Sequence, residues 1–341
     1  MLLAGGLSTR LYPLTKAVPK PLVPVAGVPN AVHVIKYLKS YGYDEIAINV
    51  HYLADAITAS LGDGSAFGVR LEYLHEPTLM GSAGALKPLE GFFGNETFVV
   101  VGCDDLTDLP LDRIVAMHAR ARAIATIGLV TRDTVDQYGV VVTDTDGRIT
   151  GFQEKPAPGT ERSKLVNTGI YVFSPQIFTR IPAGTFYDFG KQVFPELLAD
   201  GLPFYGFDAR DAYWCDIGTP GEYRRASDDV VNGVFHIPDT RANGADPSAR
   251  IAASASIDPN VWIGANVRIG ERVRIAGPSV IGDESIVDDG ALVDASIVWQ
   301  QSRIGAGAQL RAAIVGKETY VELGTVLTGD IVASSQPVER A

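Results

Sequence analysis

The residues best suited to chemistry lie at the amino terminus, where an apolar run passes into glycines, hydroxyl side chains and cations. Gly5 and Gly6 permit a sharp turn whose backbone N–H groups can face an anion. The planar guanidinium of Arg10 suits two phosphate oxygens at once, and Lys20 is a compact charge between two prolines. We therefore expect a polyphosphate site formed by the residues Leu3, Ala4, Gly5, Gly6, Ser8, Thr9, Arg10 and Lys20.

Paired carboxylates follow the apolar run 98–101, at the expected end of a buried strand. Adjacent aspartates such as Asp104 and Asp105 are most often solvated turn residues. At a strand end that faces a phosphate loop, however, one or two carboxylates are the ligands that Mg²⁺ takes. The pair is therefore a candidate magnesium site.

Strand-like and helix-like segments alternate through the first part of the chain. Apolar positions recur at helical spacing over 31–41, and 45–50 reads as a short strand. The alternation continues with a helix at 53–61, a strand at 70–74, a helix after Ser82 and a strand at 98–101. This predicts an α/β fold with a Rossmann-like, mostly parallel sheet covered on both faces, whose ligands gather at the carboxyl ends of the strands.

The carboxyl-terminal part of the chain repeats every six residues. An aliphatic residue returns at every sixth position, at Ile251, Ile257, Ile263, Ile269, Ile275, Ile281, Val287 and Val293. This repeat is typical of a parallel β-helix in which each flat side contributes one inward aliphatic residue, and known helices of this repeat wind left-handed. The register breaks at 299–302 and resumes one residue early at Ile304, so we expect a protruding loop there.

Helix and strand breakers, including Pro238 and Gly244, separate the two patterns. We therefore expect a first domain over 1–232, a linker over 233–247 and a β-helix domain over 248–341. Each coil of such a helix buries its aliphatic residues only against the next coil. The open end around 321–331 needs a cap or a second subunit, and we expect a homo-oligomer formed through the helix.

Composition limits the partners of this 341-residue chain, which has a net charge of −11. No cluster of lysine and arginine interrupts the acidic background, which excludes a nucleic-acid-binding surface, whereas a small anionic substrate needs only a few local cations. No apolar run reaches the roughly 18 residues of a membrane span, and no signal-peptide pattern is present, so we expect a cytoplasmic protein without membrane contact. Cys103 and Cys215 are too few for a disulfide framework.

Several motifs in the first 225 residues, taken in order, resemble the signatures of sugar-1-phosphate nucleotidylyltransferases. The opening stretch is similar to the family's Ala-Gly-Gly-x-Gly-Thr-Arg-Leu loop and its later Pro-Lys-Pro-Leu, with Ser8 in place of a glycine. Cys103 stands where the family has a glycine before its metal aspartate. The other matching motifs are Tyr138-Gly139, Glu154-Lys155-Pro156, Asn167-x-Gly169-x-Tyr171 and Trp214-x-Asp216-Ile-Gly-Thr-Pro.

The resemblance implies that an NTP and a sugar 1-phosphate give an NDP-sugar and pyrophosphate. It implies that Asp104 and Asp216 hold Mg²⁺, and that Lys155 aligns the nucleophile while Arg10 and Lys20 stabilise the departing pyrophosphate. The implied nucleotide-binding residues are Leu3, Ala4, Gly5, Gly6, Ser8, Thr9, Arg10, Glu76, Gly81 and Gly84. The implied sugar-phosphate-binding residues are Tyr138, Gly139, Glu154, Lys155, Asn167 and Gly169.

Three alternatives accompany this interpretation. In its long repeat domain the chain resembles the mannose-1-phosphate guanylyltransferases and their heptose or cyclitol relatives, and this resemblance implies GTP with mannose 1-phosphate. Glucose 1-phosphate with UTP, dTTP or ATP is the alternative substrate pair. A non-catalytic regulatory subunit is a second alternative, disfavoured because the catalytic cations and both metal aspartates are retained. An acyltransferase is a third, disfavoured because such sites rely on a histidine within the repeat and all five histidines precede Ile251.

Overall fold

Helices and strands are interspersed up to residue 231, and short strands without helices follow at regular spacing to residue 332. The computed structural model describes residues 1–238 and 240–333. The helices are α1 (Asn30–Ser40), α2 (Ala54–Leu61), α3 (Gly81–Gly84), α4 (Glu90–Phe93), α5 (Leu111–Ala121), α6 (Phe194–Ala199) and α7 (Pro220–Val231). Single 3-10 turns lie at Thr9–Leu11, Leu14–Lys16, Lys20–Leu22, Ser65–Phe67, Lys87–Leu89 and Pro175–Arg180, and a π-helical turn lies at Phe189–Val193.

The strands up to residue 216 are β1 (Leu2–Leu3), β2 (Pro24–Val25), β3 (Val28–Pro29), β4 (Glu45–Val50), β5 (Arg70–His75), β6 (Phe98–Gly102), β7 (Asp105–Thr107), β8 (Ala125–Thr131), β9 (Gly139–Thr143), β10 (Ile149–Glu154), β11 (Leu165–Phe173), β12 (Phe204–Asp208) and β13 (Trp214–Asp216). In the described part of the chain, no helix combines the length and the apolar character needed to cross a bilayer.

Contacts divide the chain into two units. The first comprises Met1–Leu7 and Val34–Asp216, and the second comprises Ser8–His33 and the described part of Ile217–Ala341. The predicted domain boundaries at residues 232 and 247 stay a prediction. Within the predicted linker and β-helix domain, residues 239 and 334–341 lie outside the described residues.

The first unit contains a nine-stranded sheet whose two parts differ in strand direction. Strands β5, β4, β1 and β6 run parallel, with Leu3 between Asn49 of β4 and Gly102 of β6. Strands β8, β9 and β10 extend the sheet beyond β11 through antiparallel pairs, and β12 runs parallel to β8. The predicted Rossmann-like sheet is confirmed for the amino-terminal strands. The sheet as a whole is mixed because β11 runs antiparallel to β6, and β9 and β10 form a hairpin instead of being joined through a helix.

Stacked phenylalanines hold the segment after residue 188 against this sheet. The rings of Phe173 and Phe189 stack with centroids 5.0 Å apart, and those of Phe189 and Phe194 stack at 5.8 Å. All three side chains are at most 1% exposed. Burying a side chain of this size contributes about 1.5–3 kcal/mol. The packing therefore fixes the turn at Phe189–Val193 beside β11.

The second unit contains three parallel sheets, one for each side of a coil. Their strands are β14 (Gly244–Ala245), β15 (Arg250–Ile251), β16 (Ser256–Ile257), β17 (Val261–Ile263), β18 (Arg268–Ile269), β19 (Arg274–Ala276), β20 (Ser279–Ile281), β21 (Ile286–Val287), β22 (Leu292–Asp294), β23 (Ile297–Val298), β24 (Arg303–Ile304), β25 (Gln309–Arg311), β26 (Ile314–Val315), β27 (Tyr320–Val321), β28 (Val326–Thr328) and β29 (Ile331–Val332). Every third strand belongs to the same sheet, and the inward aliphatic residues form one buried column. The architecture is consistent with the predicted left-handed parallel β-helix.

The hexapeptide register changes at a corner of the coil and not at a loop. Val261 pairs with Ser279, 18 residues later, whereas Val280 pairs with Ile297, 17 residues later. The later coil is one residue shorter at this corner. Ala295 alone, with φ of +43°, turns the chain where the preceding coil uses the two residues 277–278. The predicted protruding loop at 299–302 is wrong, because Trp299 is only 2% exposed and β24 follows after an ordinary turn.

Helix α7 lies on the side of the β-helix formed by β14, β17 and β20. The buried Tyr223 hydroxyl donates to the Pro24 carbonyl at 2.8 Å and accepts from Trp299 Nε1 at 2.8 Å. The Arg224 guanidinium donates to the Ala295 carbonyl at 2.8 Å, at the tight corner. Within the second unit, α7 and the β2–β3 hairpin therefore pack together over one side of the β-helix.

Candidate active site

The glycine turn follows β1 at the carboxyl edge of the parallel strands. The Ala4 backbone N–H donates to Asn49 Oδ1 at 3.0 Å. A Cβ on Gly5 would lie 2.7 Å from Asn49 Nδ2, closer than real Cβ atoms approach, whereas a Cβ on Gly6 would meet no described atom within 4 Å. Gly5 is therefore required for packing against Asn49, and Gly6 leaves open space above the sheet edge.

A buried polar pair beneath this turn links two loops. Asn49 Nδ2 donates to Glu76 Oε2 at 2.6 Å, and the Met80 backbone N–H donates to Glu76 Oε1 at 3.1 Å. Both side chains are buried, with Asn49 5% and Glu76 7% exposed. Because each carboxylate oxygen has a protein donor, Glu76 organises the loop 76–80 from within. Sequence reasoning missed Asn49, whose role depends on the pairing of β4 with β1.

The two glycines predicted to approach a nucleobase pack closely against another backbone segment. A Cβ on Gly81, whose φ is +77°, would lie 2.4 Å from the Tyr187 carbonyl oxygen. A Cβ on Gly84 would lie 2.8 Å from the Thr185 carbonyl oxygen. This packing explains both glycines within the protein, and their contact with a nucleobase stays a prediction.

Two carboxylates lie over the end of β6, and a third aspartate is paired with one of them in a short backbone ladder; among the described residues no group of three or more acidic, histidine or cysteine side chains is close enough to form a complete metal site. A Cβ on Gly102 would lie 2.7 Å from Asp104 Oδ1 and 2.7 Å from Asp105 Oδ2, so both side chains turn over this glycine. Strand β13 pairs antiparallel with β7 and places Asp216 directly opposite Asp105. Of the two predicted metal residues, which are distant in sequence, Asp216 lies in this ladder and Asp104 directly precedes its first strand. The Cys103 N–H donates to the Leu3 carbonyl at 3.1 Å, so this ladder begins beside the glycine turn.

The predicted sugar-phosphate residues of β9 and β10 meet at one strand end. Glu154 pairs with Gly139, and the Lys155 N–H donates to the Tyr138 carbonyl at 3.1 Å. Lys155 has φ of +48°, which is uncommon for a residue with a side chain. Desolvation of the carboxyl raises the pKa of Glu154 above its usual range, and the Lys155 ammonium partly opposes that rise. The Lys155 ammonium is therefore held near the Glu154 carboxylate, and their contact with a sugar phosphate stays a prediction.

Asn167 shapes a bulge that carries Gly169 towards the carboxylates. Asn167 Oδ1 accepts from the Gly169 N–H at 2.9 Å, and Asn167 Nδ2 donates to the Tyr171 hydroxyl at 3.0 Å. The pairing of β11 with β8 shifts between Asn167 and Tyr171. A Cβ on Gly169, whose φ is +81°, would lie 3.3 Å from Asp105 Oδ2. The bulge therefore joins the sugar-phosphate segment to the carboxylate ladder.

The remaining residues of the predicted phosphate site belong to the second unit, and they are Ser8, Thr9, Arg10 and Lys20. Ser8 has φ of +55°, and its carbonyl accepts from Thr15 Oγ1 at 2.7 Å. A residue with a side chain pays about 1–2 kcal/mol in this left-handed conformation, which explains why a glycine suits the position. Arg10 lies in the turn Thr9–Leu11, and Lys20, 9% exposed, begins the turn Lys20–Leu22.

Two nucleotidylyltransferases from other organisms are similar in sequence to more than two thirds of the chain. A UTP–glucose-1-phosphate uridylyltransferase of Synechocystis sp. is 41% identical over 248 residues, which are 69% of this chain and 63% of that protein. A mannose-1-phosphate guanylyltransferase of Mycobacterium tuberculosis is 35% identical over 259 residues, 75% of this chain and 71% of that protein. The chain thus spans less than two thirds of the uridylyltransferase.

Solved structures and family models agree with these relatives. HddC from Yersinia pseudotuberculosis has a TM-score of 0.58 and 27% sequence identity, covering 66% of this chain and 96% of that chain. A family model described as GMPPB C-terminal domain matches residues 242–341, and the model described as Nucleotidyl transferase matches residues 1–233. On this match, which covers more than half of its length, the chain belongs to the nucleotidyl transferase family.

Proposed function

We propose that the protein transfers a nucleotidyl group from an NTP to a sugar 1-phosphate. An oxygen of the sugar phosphate attacks the α-phosphorus and forms the new P–O bond. The bond between the α-phosphorus and the oxygen that bridges to the β-phosphate breaks, and pyrophosphate leaves with that electron pair. A phosphate monoester is already ionised near neutral pH, so positioning and charge neutralisation supply the rate.

The observation that supports this proposal best is the pairing of β13 with β7. It sets Asp216 opposite Asp105, the residue that follows Asp104, at the strand end beside the glycine turn. Carboxylates at this strand end repel phosphate groups unless nearby cations neutralise their charge. Lys155, held by the Tyr138 carbonyl at the neighbouring hairpin, supplies one such cation in the same unit.

Members of the nucleotidyl transferase family generally use a divalent metal ion. We propose Mg²⁺ held by Asp104 and Asp216, because the strand pairing brings Asp216 opposite the residue after Asp104 and Mg²⁺ binds through one or two carboxylates plus substrate phosphates, without a complete protein ligand set. Bound there, it would neutralise phosphate charge. Arg10 and Lys20 are proposed to stabilise the pyrophosphate, and Glu154, Gly139 and Gly169 to bind the sugar.

Two substrate pairs have support. GTP with mannose 1-phosphate is favoured by the match of residues 242–341 to the GMPPB C-terminal domain and by the guanylyltransferase relative. UTP with glucose 1-phosphate is the second candidate, favoured by the 41% identity to a uridylyltransferase. A pyrophosphate-release screen of the purified chain against all NTPs and a panel of sugar 1-phosphates decides between them.

Asp216→Asn tests the metal role within that screen. We expect turnover to fall by at least about 100-fold at saturating Mg²⁺, because one carboxylate ligand is lost while the β7–β13 backbone pairs remain. Asp211→Asn, in an exposed loop of the same segment, is the matched control and should keep full activity. Wild-type turnover in the Asp216 variant would refute the proposal, and nucleotide binding without turnover in the unmodified chain would favour a regulatory subunit.

We further propose that the chain self-associates through the β-helix. The last described coil exposes two large apolar side chains, Leu323 at 73% and Val326 at 57%. The exposed end of a repeat stack is stabilised either by a cap or by a partner subunit, and we propose the partner. Light scattering after size exclusion should give a mass above that of one 36.3 kDa chain, and a monomer at micromolar concentration would contradict this.

A further inference from the structure

The segment predicted to contact the nucleobase is bonded along its length to the segment 187–189. The Tyr187 N–H donates to the Met80 carbonyl at 2.8 Å, and the N–H groups of Ala83 and Gly84 donate to the Tyr187 carbonyl at 3.0 and 2.9 Å. The close approach of Gly81 to the same carbonyl leaves no space between the two backbones. A displacement of either segment must therefore move the other.

A reciprocal pair of side-chain bonds completes this junction. Ser82 Oγ donates to Asp188 Oδ2 at 2.9 Å and accepts from the Phe189 N–H at 3.0 Å. The other oxygen of the same carboxylate, Asp188 Oδ1, accepts from the N–H groups of Gly190 at 3.0 Å and Lys191 at 3.2 Å. Asp188 thus has one oxygen on the nucleotide segment and one at the start of the turn Phe189–Val193.

That turn forms a wall beside the predicted sugar-phosphate residues. A Cβ on Gly190 would lie 2.6 Å from Glu154 Oε2, so the carboxylate occupies the space that a side chain at 190 would fill. Besides its desolvation, the charges that act on the pKa of Glu154 are those of Lys155, Asp188 and Lys191, which places all three near its carboxyl. The position of the turn therefore sets the position of Glu154 and brings a second lysine to this site.

We propose that Asp188 is a positioning residue that couples the nucleotide site to the sugar-phosphate site through its bond with Ser82. This inference rests on the proposed function, since it names the two substrates of that reaction. A nucleotide bound along 80–84 restrains the Ser82 hydroxyl, which holds the Asp188 carboxylate by a hydrogen bond. Asp188 in turn holds the turn Phe189–Val193, and this turn packs against the Glu154 carboxylate. Each substrate then raises the affinity of the protein for the other by the same factor.

Calorimetric titration of the full chain measures this factor directly. The dissociation constant of mannose 1-phosphate is determined with Mg²⁺, with and without saturating α,β-methylene GTP, or with glucose 1-phosphate and the UTP analogue if the screen selects that pair. We expect the analogue to tighten sugar-phosphate binding about tenfold in the unmodified chain. In Ser82→Ala the factor should fall to within about twofold of unity, because the hydroxyl–carboxylate bond is lost while Oδ1 of Asp188 can still accept from the turn.

Conservative and distant variants separate coupling from general damage. Ser82→Thr keeps the hydroxyl and should restore the factor, and Ser65→Ala removes a similar but exposed bond to Asp63, 2.6 Å long, and should leave it unchanged. A factor near unity in the unmodified chain, or an unchanged factor in Ser82→Ala, overturns the inference while turnover in the screen upholds the function. Failure of every NTP and sugar 1-phosphate pair to release pyrophosphate overturns the function, and the inference with it.

Discussion

At the scale of single residues, the indole of Trp214 determines where the Asp105 carboxylate points. Trp214 Nε1 donates to Asp105 Oδ1 at 2.9 Å, and the two residues are 3% and 4% exposed. The Tyr138 ring meets the indole edge to face at 5.3 Å, and the Arg132 guanidinium lies 5.2 Å from its centre. Because a buried carboxylate is costly without hydrogen bonds, this contact stabilises the ladder in which Asp216 faces Asp105.

We expect Trp214→Phe to raise the Mg²⁺ concentration for half-maximal activity about tenfold. The substitution keeps an aromatic ring but removes one hydrogen bond to a charged group, which contributes about 1.5–3 kcal/mol. A Mg²⁺ titration of pyrophosphate release measures the change. The matched control is Trp262→Phe, since the buried Trp262 indole N–H has no hydrogen-bond partner in the described part of the chain. Equal metal dependence in both variants would show that the bond to Asp105 is dispensable.

The sequence predicted residue types at this site better than it predicted how they contact one another. Asp104 and Asp216 could be selected from their motifs, and the structure pairs Asp216 with the residue that follows Asp104. Asn49 could not, because its role depends on lying level with Leu3 in a neighbouring strand, which local sequence does not encode. For Glu76 the residue was selected, but its bonds to Asn49 and Met80 are a consequence of tertiary packing.

At the scale of secondary structure, the start of α7 can be recognised from the sequence, whereas the β-bulge in β11 cannot. Helix α7 has Pro220 at its first position, and Thr219 Oγ1 accepts from the Glu222 N–H at 3.3 Å, which is the residue order that a capped helix start favours. The bulge in β11 was not predicted, because it depends on a bond from Asn167 to the Gly169 backbone that competes with regular strand pairing. Alternation of apolar residues does not reveal such competition.

Helix α7 also carries the basis for a pH-dependent change in stability. Burial raises the pKa of Asp228 from 3.8 to about 6, with Arg224 opposing and Asp229 adding to the rise. The folded state therefore binds the proton more tightly than the unfolded state, and stability falls as pH rises from about 4 to about 6. Asp228→Asn should increase the free energy of unfolding by about 1 kcal/mol at pH 8, less than the full equivalent of the shift because the side chain is partly solvated.

Denaturant unfolding of this variant at two pH values measures the effect. The gain should be present at pH 8 and should disappear below about pH 4, where the carboxyl is protonated in both states. Asp228→Asn keeps the backbone bond from Asn232 to the residue-228 carbonyl, so the helix end is unchanged. A gain that is independent of pH would assign the effect to helix propensity and not to desolvation.

At the scale of the whole molecule, the six-residue period predicted the β-helix but not the length of each coil. The six-residue period gives the spacing between inward-facing residues. A shorter corner changes the sequence only by moving all later inward-facing residues one position earlier. That shift was visible before Ile304, and a protruding loop and a shorter corner account for it equally well in sequence terms. The structure selects the corner at Ala295, where the backbone turns with φ of +43° and its carbonyl accepts from Arg224.

Stacked coils give stability mainly through contacts with their neighbours, so the cost of a core substitution depends on its place in the stack. Ile275 is fully buried between Ile257 and Val293 of adjacent coils, whereas Ile251 in an early coil is 39% exposed and pairs only with Ile269. Ile275→Ala should lower the free energy of unfolding by about 3 kcal/mol, and Ile251→Ala by about 1 kcal/mol or less. Equilibrium denaturation of the full chain compares the two. Equal losses would show that Ile251 is covered in solution, which places a partner subunit at the start of the stack and not at the Leu323 end.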